Sequence, residues 1–454
     1  MRLALELALA RSAGRLSRLA GRGGGTTLPG RIVVTIDPSA LSALAGRLPQ
    51  GSALVSATNG KTTTASLVAT ILSPRVRLAH NDSGANLVSG VVSTLIDARG
   101  AELGLFEVDE GAFPVVARGT RPRAVCLGNL FRDQLDRYGE LEQIAERWRT
   151  AVQELPASTA LVVNADDPQV GDLAALRPGS VTFGVDDPAQ SRPSLQHASD
   201  SKYCLRCGTP YEYAAAYVGH LGDYRCPACG HGRPPLDLAA RDVELHGLEA
   251  VSFLLAAPEG ERRIRLPLPG LYNVYNALAA AGLARALGAS LDEIADGLAS
   301  ARPAFGRSER IDVDGRGLLL LLIKNPAGAN EVVRTVVAAG APTHAVIALN
   351  DAIADGRDVS WIWDVDFEPL LERLDRLVVS GGRAAELALR CTYAGFPADR
   401  LEIVPDLGSA LDRGLALTPD GETLTVLPTY TAMLELRRIV AGRGHTRQYW
   451  ERVA

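Results

Sequence analysis

Ala57-Thr58-Asn59-Gly60-Lys61-Thr62-Thr63-Thr64 lies between a short apolar run, Ala53–Ser56, and a stretch with helical spacing, Ser66–Leu72. A strand, a glycine-containing loop and a helix in that order make a phosphate cradle. The glycine lets successive backbone amides point at phosphate oxygens, the lysine neutralises the β and γ phosphates, and a hydroxyl ligates Mg²⁺. The full phosphate-loop pattern also has a glycine at position 55, where this chain has Val55. The flanking elements supply the context that the shortened pattern lacks.

Working outward, Arg31–Ile36, Leu103–Val108, Ala124–Leu127 and Ala160–Val163 read as strands, with a helix over Glu140–Leu155. Such alternation predicts an α/β fold, a mostly parallel sheet with helices on its faces. Helical spacing returns at Val274–Leu287 and Leu291–Leu298, and a buried strand is expected at Leu318–Ile323. Beyond it, Ala345–Leu349, Arg376–Val379, Leu401–Val404 and Leu424–Leu427 form a second α/β alternation. We therefore expect a lead-in with an N-terminal helix (1–50), a central nucleotide-binding unit (51–310) and a C-terminal α/β unit (311–454).

Residues 199–235 interrupt the pattern with Cys, Gly, Pro and Tyr. Cys204-x-x-Cys207 and Cys226-x-x-Cys229, separated by 18 residues, match the two knuckles of a zinc ribbon. Four thiolates close a tetrahedral shell, so the expected Zn²⁺ is structural, with redox sensing as the alternative. His220 and His231 are expected to be polar surface residues, because the cysteines already fill the shell. Cys126 and Cys391 stand alone in apolar stretches and are expected in the core.

The 454 residues are 47% hydrophobic and 22% charged, an ordinary globular composition, with a formal net charge of -5. That balance disfavours a nucleic-acid partner. The longest central aliphatic run, Leu318–Ile323, is far too short to span a membrane. Glu6 and Arg11 interrupt any signal-peptide core, so a cytoplasmic location is expected. Arg2, Arg11, Arg15, Arg18 and Arg22 alternate with leucines. This segment suits either an anionic membrane surface or packing on its own domain.

The form Thr-Asn-Gly-Lys-Thr-Thr resembles the signature of Mur ligases and folylpolyglutamate synthases, with Ala57 where those families usually have glycine. Later segments resemble Mur ligase motifs in the same order. Glu107 stands in the place of the Mg²⁺-binding glutamate, and Asn129–Asp136 resembles Asn-x-x-x-Asp-His-Leu-Asp with Gln134 replacing histidine. Asn164–Pro168 resembles the Asn-x-Asp-Asp turn, and Tyr272–Leu278 the helix start whose asparagines, here Asn273 and Asn276, contact adenine. Phe305–Arg310 resembles the motif in which Arg307 steadies phosphoryl charge. Lys324-Asn325-Pro326 stands where relatives carry His-x-Pro, and with the ribbon this resembles the MurT group of the family.

The resemblance implies a Mur ligase-type central P-loop ATPase domain with a four-cysteine zinc-ribbon insertion, followed by a C-terminal Rossmann-like α/β domain. It implies ATP and Mg²⁺ held by Thr58, Asn59, Gly60, Lys61, Thr62, Thr63 and Glu107. The implied reaction is amidation of the α-carboxylate of D-glutamate in the lipid II stem peptide through an acyl phosphate, in peptidoglycan synthesis. Only about 50 residues precede the loop, where ordinary ligases carry a nucleotide-sugar-binding domain, which fits a lipid-linked substrate at the membrane surface. Neither lone cysteine suits a glutaminase, so ammonia is expected from a separate glutaminase partner, which the resemblance implies is a GatD-type subunit in a heterodimer. Asp358 is expected to orient the partner's catalytic histidine, with Asp355 and Asp351 as reserves. The alternative enzyme reading is a ligase that adds an amino acid rather than ammonia.

Overall fold

Among the described residues, the long apolar runs pair as parallel strands in the middle of the first of two large sheets. Residues 27–82, 84–133, 140–196, 199–302, 307–340 and 342–446 are described in the computed structural model. The expected N-terminal helix, motif residues Gln134–Asp136 and Phe305–Gly306, and the side chain of Arg307 lie outside the described residues.

The first sheet uses β1 (Ser52–Ser56), β2 (Leu78–His80), β3 (Leu103–Glu107), β4 (Ala124–Leu127), β5 (Ala160–Asn164) and β6 (Val181–Val185). After a separate hairpin, β7 (Glu212–Val218) and β8 (Leu221–Arg225), it continues with β9 (Leu238–His246), β10 (Ala250–Ala257) and β11 (Gly260–Leu266). Its order is β11-β10-β9-β6-β5-β4-β1-β3-β2. From β2 across to β9 every strand runs parallel to its neighbours, and only β10 is antiparallel, to β9 on one side and β11 on the other. β1, β3 and β4 are buried at every position, which is why they read as unbroken apolar runs rather than alternations.

β1 lies between β3 and β4, so the chain leaves it in one direction and returns on its other side. A topological switch point of this kind opens a crevice at the carboxyl ends of the strands. Loop 57–60, Glu107 and Asn129 all emerge there. One face of the sheet is covered by helix α1 (Lys61–Leu72) and the alanine-rich α2 (Leu271–Ala286), of which 13 of 16 residues are buried. Small side chains let α2 lie close across the strands. Helices Val88–Asp97, Phe113–Thr120 and Leu141–Glu154 cover the other face.

Strands β12 (Arg307–Val313), β13 (Arg316–Leu321), β14 (His344–Ala348), β15 (Arg376–Ser380), β16 (Leu401–Ile403) and β17 (Thr423–Pro428) form the second sheet, in the order β12-β13-β17-β14-β15-β16. β12 pairs with β13 as a hairpin, so residues 307–310 belong to this sheet. Helix α3 (Pro326–Ala338) follows β13, and its N-cap Asn325 accepts the Gly328 amide at 2.9 Å. Among the described residues, no helix is long and apolar enough to cross a membrane.

Two sequence expectations are corrected. Arg31–Ile36, read as a strand from its β-branched residues, lies within the helix Leu28–Ile36. Pro29 suits a first helical turn; a Cβ on Gly30 would come 1.9 Å from the Ser89 carbonyl oxygen, and the Gly30 amide donates to Ser93 Oγ at 2.8 Å. Packing outweighs propensity here. His220 and His231, expected on the surface, are buried at 0% and 8% exposure. His231 joins Tyr211 Oη at 2.7 Å and Asp172 at 3.0 Å, while His220 lies 3.4 Å from Asp167. A phenol and a carboxylate satisfy the His231 ring, and the Asp167 carboxylate offsets the burial of His220 by charge. The two lone cysteines are core residues, as expected.

Candidate active site

The phosphate loop is fixed from below by the segment after β4. The Thr58 amide donates to the Asn129 carbonyl at 2.8 Å. The Asn59 amide donates to Asn129 Oδ1 at 2.9 Å, and Asn129 Nδ2 donates back to the Asn59 carbonyl at 3.1 Å. Thr58 Oγ1 accepts from the Phe131 amide at 3.0 Å. Gly60 has φ 86°, and a Cβ there would lie 1.9 Å from Asn276 Oδ1. Both backbone conformation and space therefore require glycine. Among the described residues, no side chain caps the N-terminus of α1, which leaves first-turn amides and the positive end of the helix dipole for an anion.

Lys61 is buried, and its Nζ donates to the Ala57 carbonyl at 2.5 Å, the Thr58 carbonyl at 3.1 Å and Glu110 Oε2 at 2.8 Å. Glu110 is held by its own backbone, for its carbonyl accepts Trp148 Nε1 at 2.9 Å, and Trp148 is fully buried edge-on to Phe113. Burial would raise the Glu110 carboxyl, but the Lys61 and Lys324 ammonium groups hold it below the ordinary value. Lys324 in turn meets Asp133 Oδ2 at 2.5 Å. Burial would lower Lys324, and Asp133 and Glu110 raise it instead. Two lysines and two acids thus form one alternating cluster beside the loop.

Glu107 is 3% exposed at the end of β3, with Asn86 Nδ2 3.4 Å from Oε1. It lines the same cleft as Thr58, Asn59, Gly60, Lys61, Thr62 and Thr63. Asn273 and Asn276 close it from α2, where Asn276 Nδ2 donates to Asn273 Oδ1 at 2.9 Å. The cleft encloses about 330 Å³, within the roughly 300–1,000 Å³ range of small-molecule sites. Uncapped helix amides, a buried lysine and a nearby carboxylate fit a nucleotide with Mg²⁺, which would be held by Thr62 and Glu107. The backbone of Arg307 pairs with Leu321 at the edge of the second sheet.

The four Sγ atoms of Cys204, Cys207, Cys226 and Cys229 lie within 4.8 Å of one another, with Cys204–Cys229 at 3.5 Å and Cys207–Cys226 at 3.4 Å. Thiolates about 2.3 Å from a tetrahedral zinc are spaced by roughly 3.8 Å, so the cluster fits that ion. Gly208 and Gly230 have φ 73° and 74°, the tight turns expected after each knuckle. Burial would raise the Cys204 thiol, but amide donors from Arg206 and Cys207 lower it to about 7, whereas the neighbouring thiols push Cys229 the opposite way.

The three aspartates of the 351–358 loop differ sharply in their surroundings. Asp355 is buried and accepts the Thr431 amide at 2.8 Å and the Thr431 hydroxyl. Asp351 pairs with Arg383 at 3.1 Å. Asp358 is exposed, and its Oδ1 accepts the Ser360 amide at 2.8 Å. Trp361 leans on the core, whereas Trp363 is 48% exposed against Tyr393. Sequence reading missed the roles of Glu110 and of Asn325, whose side chain meets Asn59. The only signal was their position next to motif residues.

Fold and cleft together define a Mur-type ligase. The Mur ligase middle domain family matches residues 55–225, and the MurT ligase C-terminal family matches residues 322–433. In fold, the chain is similar to a pseudomurein peptide ligase type C from Methanothermus fervidus (TM-score 0.70, 21% identity, 88% of this chain and 80% of that one). It is also similar to MurF ligase from Thermotoga maritima in complex with ADP (TM-score 0.64, 15% identity, 90% of this chain and 85% of that one). In sequence it is 32% identical over 453 residues to the lipid II isoglutaminyl synthase (glutamine-hydrolyzing) subunit MurT of Streptococcus pneumoniae (strain ATCC BAA-255 / R6), covering 98% of this chain and 99% of that protein. The subunit of the same name from Staphylococcus aureus (strain N315) is 31% identical over 438 residues, covering 95% of this chain and 96% of that protein. The chain belongs to the MurT family.

Proposed function

We propose that this chain is the ATP-hydrolysing subunit of a lipid II isoglutaminyl synthase. Likeness to MurT along almost the whole chain carries this reading, and the cleft supplies chemistry that fits it. A carboxylate is a poor electrophile, so the α-carboxylate of the stem-peptide D-glutamate attacks the γ-phosphorus of ATP, ADP leaves, and an acyl phosphate results. Ammonia then attacks the acyl carbon and phosphate departs, leaving D-isoglutamine. Lys61 and the α1 amides steady charge on the transferring group. Thr62 and Glu107 would hold Mg²⁺, which would neutralise further phosphate charge when bound. Asn273 and Asn276 face the adenine, and Arg307 serves the phosphoryl group.

Ammonia comes from a GatD-type glutaminase subunit, and the lipid-linked acceptor places the pair at the inner face of the membrane. Of the three loop aspartates, Asp358 has the exposure needed to complete a partner's triad. Asp358 is bonded to the nearby Ser360 amide, whereas Asp351 is paired with the Arg383 charge and Asp355 is buried against Thr431. The test is to incubate the chain and its glutaminase with lipid II, ATP and glutamine, and to weigh the product. A product lighter by the exchange of oxygen for NH supports the reading. One heavier by an amino-acid residue supports the amino-acid-adding alternative, and an unchanged acceptor contradicts both.

A further inference from the structure

The zinc ribbon is not a remote staple. Its hairpin β7–β8 turns through only two residues, Gly219 and His220, with Val218 opposite Leu221. The base of the hairpin is held by the knuckles, since Cys226 directly follows β8. Its tip reaches the cleft: Val218 and Leu221 line it together with Leu268, Tyr275, Asn273 and Asn276. At ~3.3 Å per residue, the five steps from Cys226 back to Leu221 span ~17 Å.

Close packing and hydrogen bonds fix the tip. His220 lies fully buried with its ring 4.7 Å from Phe131, and Phe131 is bonded to Thr58 of the phosphate loop. A Cβ on Gly219 would come 2.8 Å from the same ring. The Tyr217 carbonyl accepts Arg334 of α3 at 3.0 Å, which joins the tip to the second sheet's unit. The ribbon's exit is tied in as well. Arg233 meets Asp166 at 3.1 Å, and Asp166 Oδ2 accepts the hydroxyl of cleft residue Tyr275 at 2.6 Å.

We propose that Val218 and Leu221 form the apolar wall for the purine base of ATP, so that the metal-braced hairpin sets affinity for the base and not for the phosphates. The inference rests on reading the cleft as an ATP site. The Asn273–Asn276 amides face the polar edge of the purine, and the aliphatic pair covers its face. A flat, weakly hydrated ring gains from leaving water for such a surface. Val218 and Leu221 are positioning residues and take no part in phosphoryl transfer.

The test is calorimetric titration of the full chain with Mg-ATP and, separately, with Mg-tripolyphosphate, which has phosphates but no base. Leu221→Ala and Val218→Ala are compared with the parent, with zinc content and melting temperature recorded for each. A zinc-replete variant should bind Mg-ATP about tenfold more weakly, the order expected for losing one aliphatic contact, with tripolyphosphate affinity unchanged. Cys207→Ser, which loosens the brace from an exposed position, should show the same split. Equal Mg-ATP affinity in both zinc-replete alanine variants, or equal losses for the two ligands, overturns the proposal. A parent that binds neither ligand overturns instead the ATP reading beneath it.

Discussion

Asn59 and Asn325 hold each other by both ends: Asn59 Nδ2 donates to Asn325 Oδ1 at 3.1 Å, and Asn325 Nδ2 donates to Asn59 Oδ1 at 3.0 Å. One side chain belongs to the phosphate loop and the other caps α3, so this amide pair fastens the second sheet's unit to the loop. Lys324, one residue earlier, reaches Asp133 on the first unit. The cleft is completed only when both sides meet.

Asn325→Asp should test the latch without removing the helix cap, because a carboxylate still accepts the Gly328 amide but cannot donate to Asn59. One lost neutral hydrogen bond amounts to about 1 kcal/mol, so ADP release should slow several-fold while the melting temperature stays close to the parent's. Unchanged turnover would show that the amide pair does not matter to the reaction.

Glu110→Gln leaves the buried Lys61 ammonium without its anionic partner. Breaking a buried pair from one side costs roughly 3–5 kcal/mol, and denaturant unfolding should register a loss of that order. The Glu110 carboxyl is depressed in the folded protein, so its contribution is present above the unfolded pKa and is lost as pH falls through the folded one. The parent should therefore lose stability toward acid more steeply than Glu110→Gln. Matching acid profiles would contradict the pairing.

Asp166 gives the opposite sign. Burial raises its carboxyl to about 6, against the Arg233 charge and the bonds from Tyr275 and the Val185 amide. The folded state keeps a proton that the unfolded chain has already released, so this contribution is full below about pH 4 and is lost as pH rises through about 6. Urea unfolding across that window should show the parent losing stability relative to Asp166→Asn as pH rises. Parallel profiles would mean that the carboxyl titrates normally.

Asp358→Asn should abolish glutamine-driven amidation and spare reaction with free ammonium, since the exposed carboxylate has no tie to the cleft. Asp355→Asn should instead lower stability, because it weakens the buried bonds to Thr431. Equal loss of both ammonia sources in Asp358→Asn would remove its role toward a partner.

Much of the architecture was legible because buried parallel strands such as β1 and β4 are unbroken apolar runs, and the Cys spacing leaves few alternatives. The helix Leu28–Ile36 was not, since Ile32, Val33, Val34 and Ile36 favour a strand locally and only contact with helix Val88–Asp97 decides otherwise. Within the site, the loop and Glu107 could be read from local pattern. Partnerships such as Lys61–Glu110, Lys324–Asp133 and Asn59–Asn325 could not, because they depend on how distant segments converge. His220 and His231 were misplaced for the same reason: a sequence shows a polar residue but not the carboxylate waiting for it.

If the Gly60–Lys61 cradle directs ATP cleavage toward a carboxyl group, ADP release by the purified chain with its glutaminase, lipid II and glutamine depends on both the acceptor and Lys61. The parent should release ADP only when acceptor is present, and Lys61→Ala none above background, with zinc content unchanged. ADP release by Lys61→Ala at the parent's rate, or none from the parent itself, would contradict it.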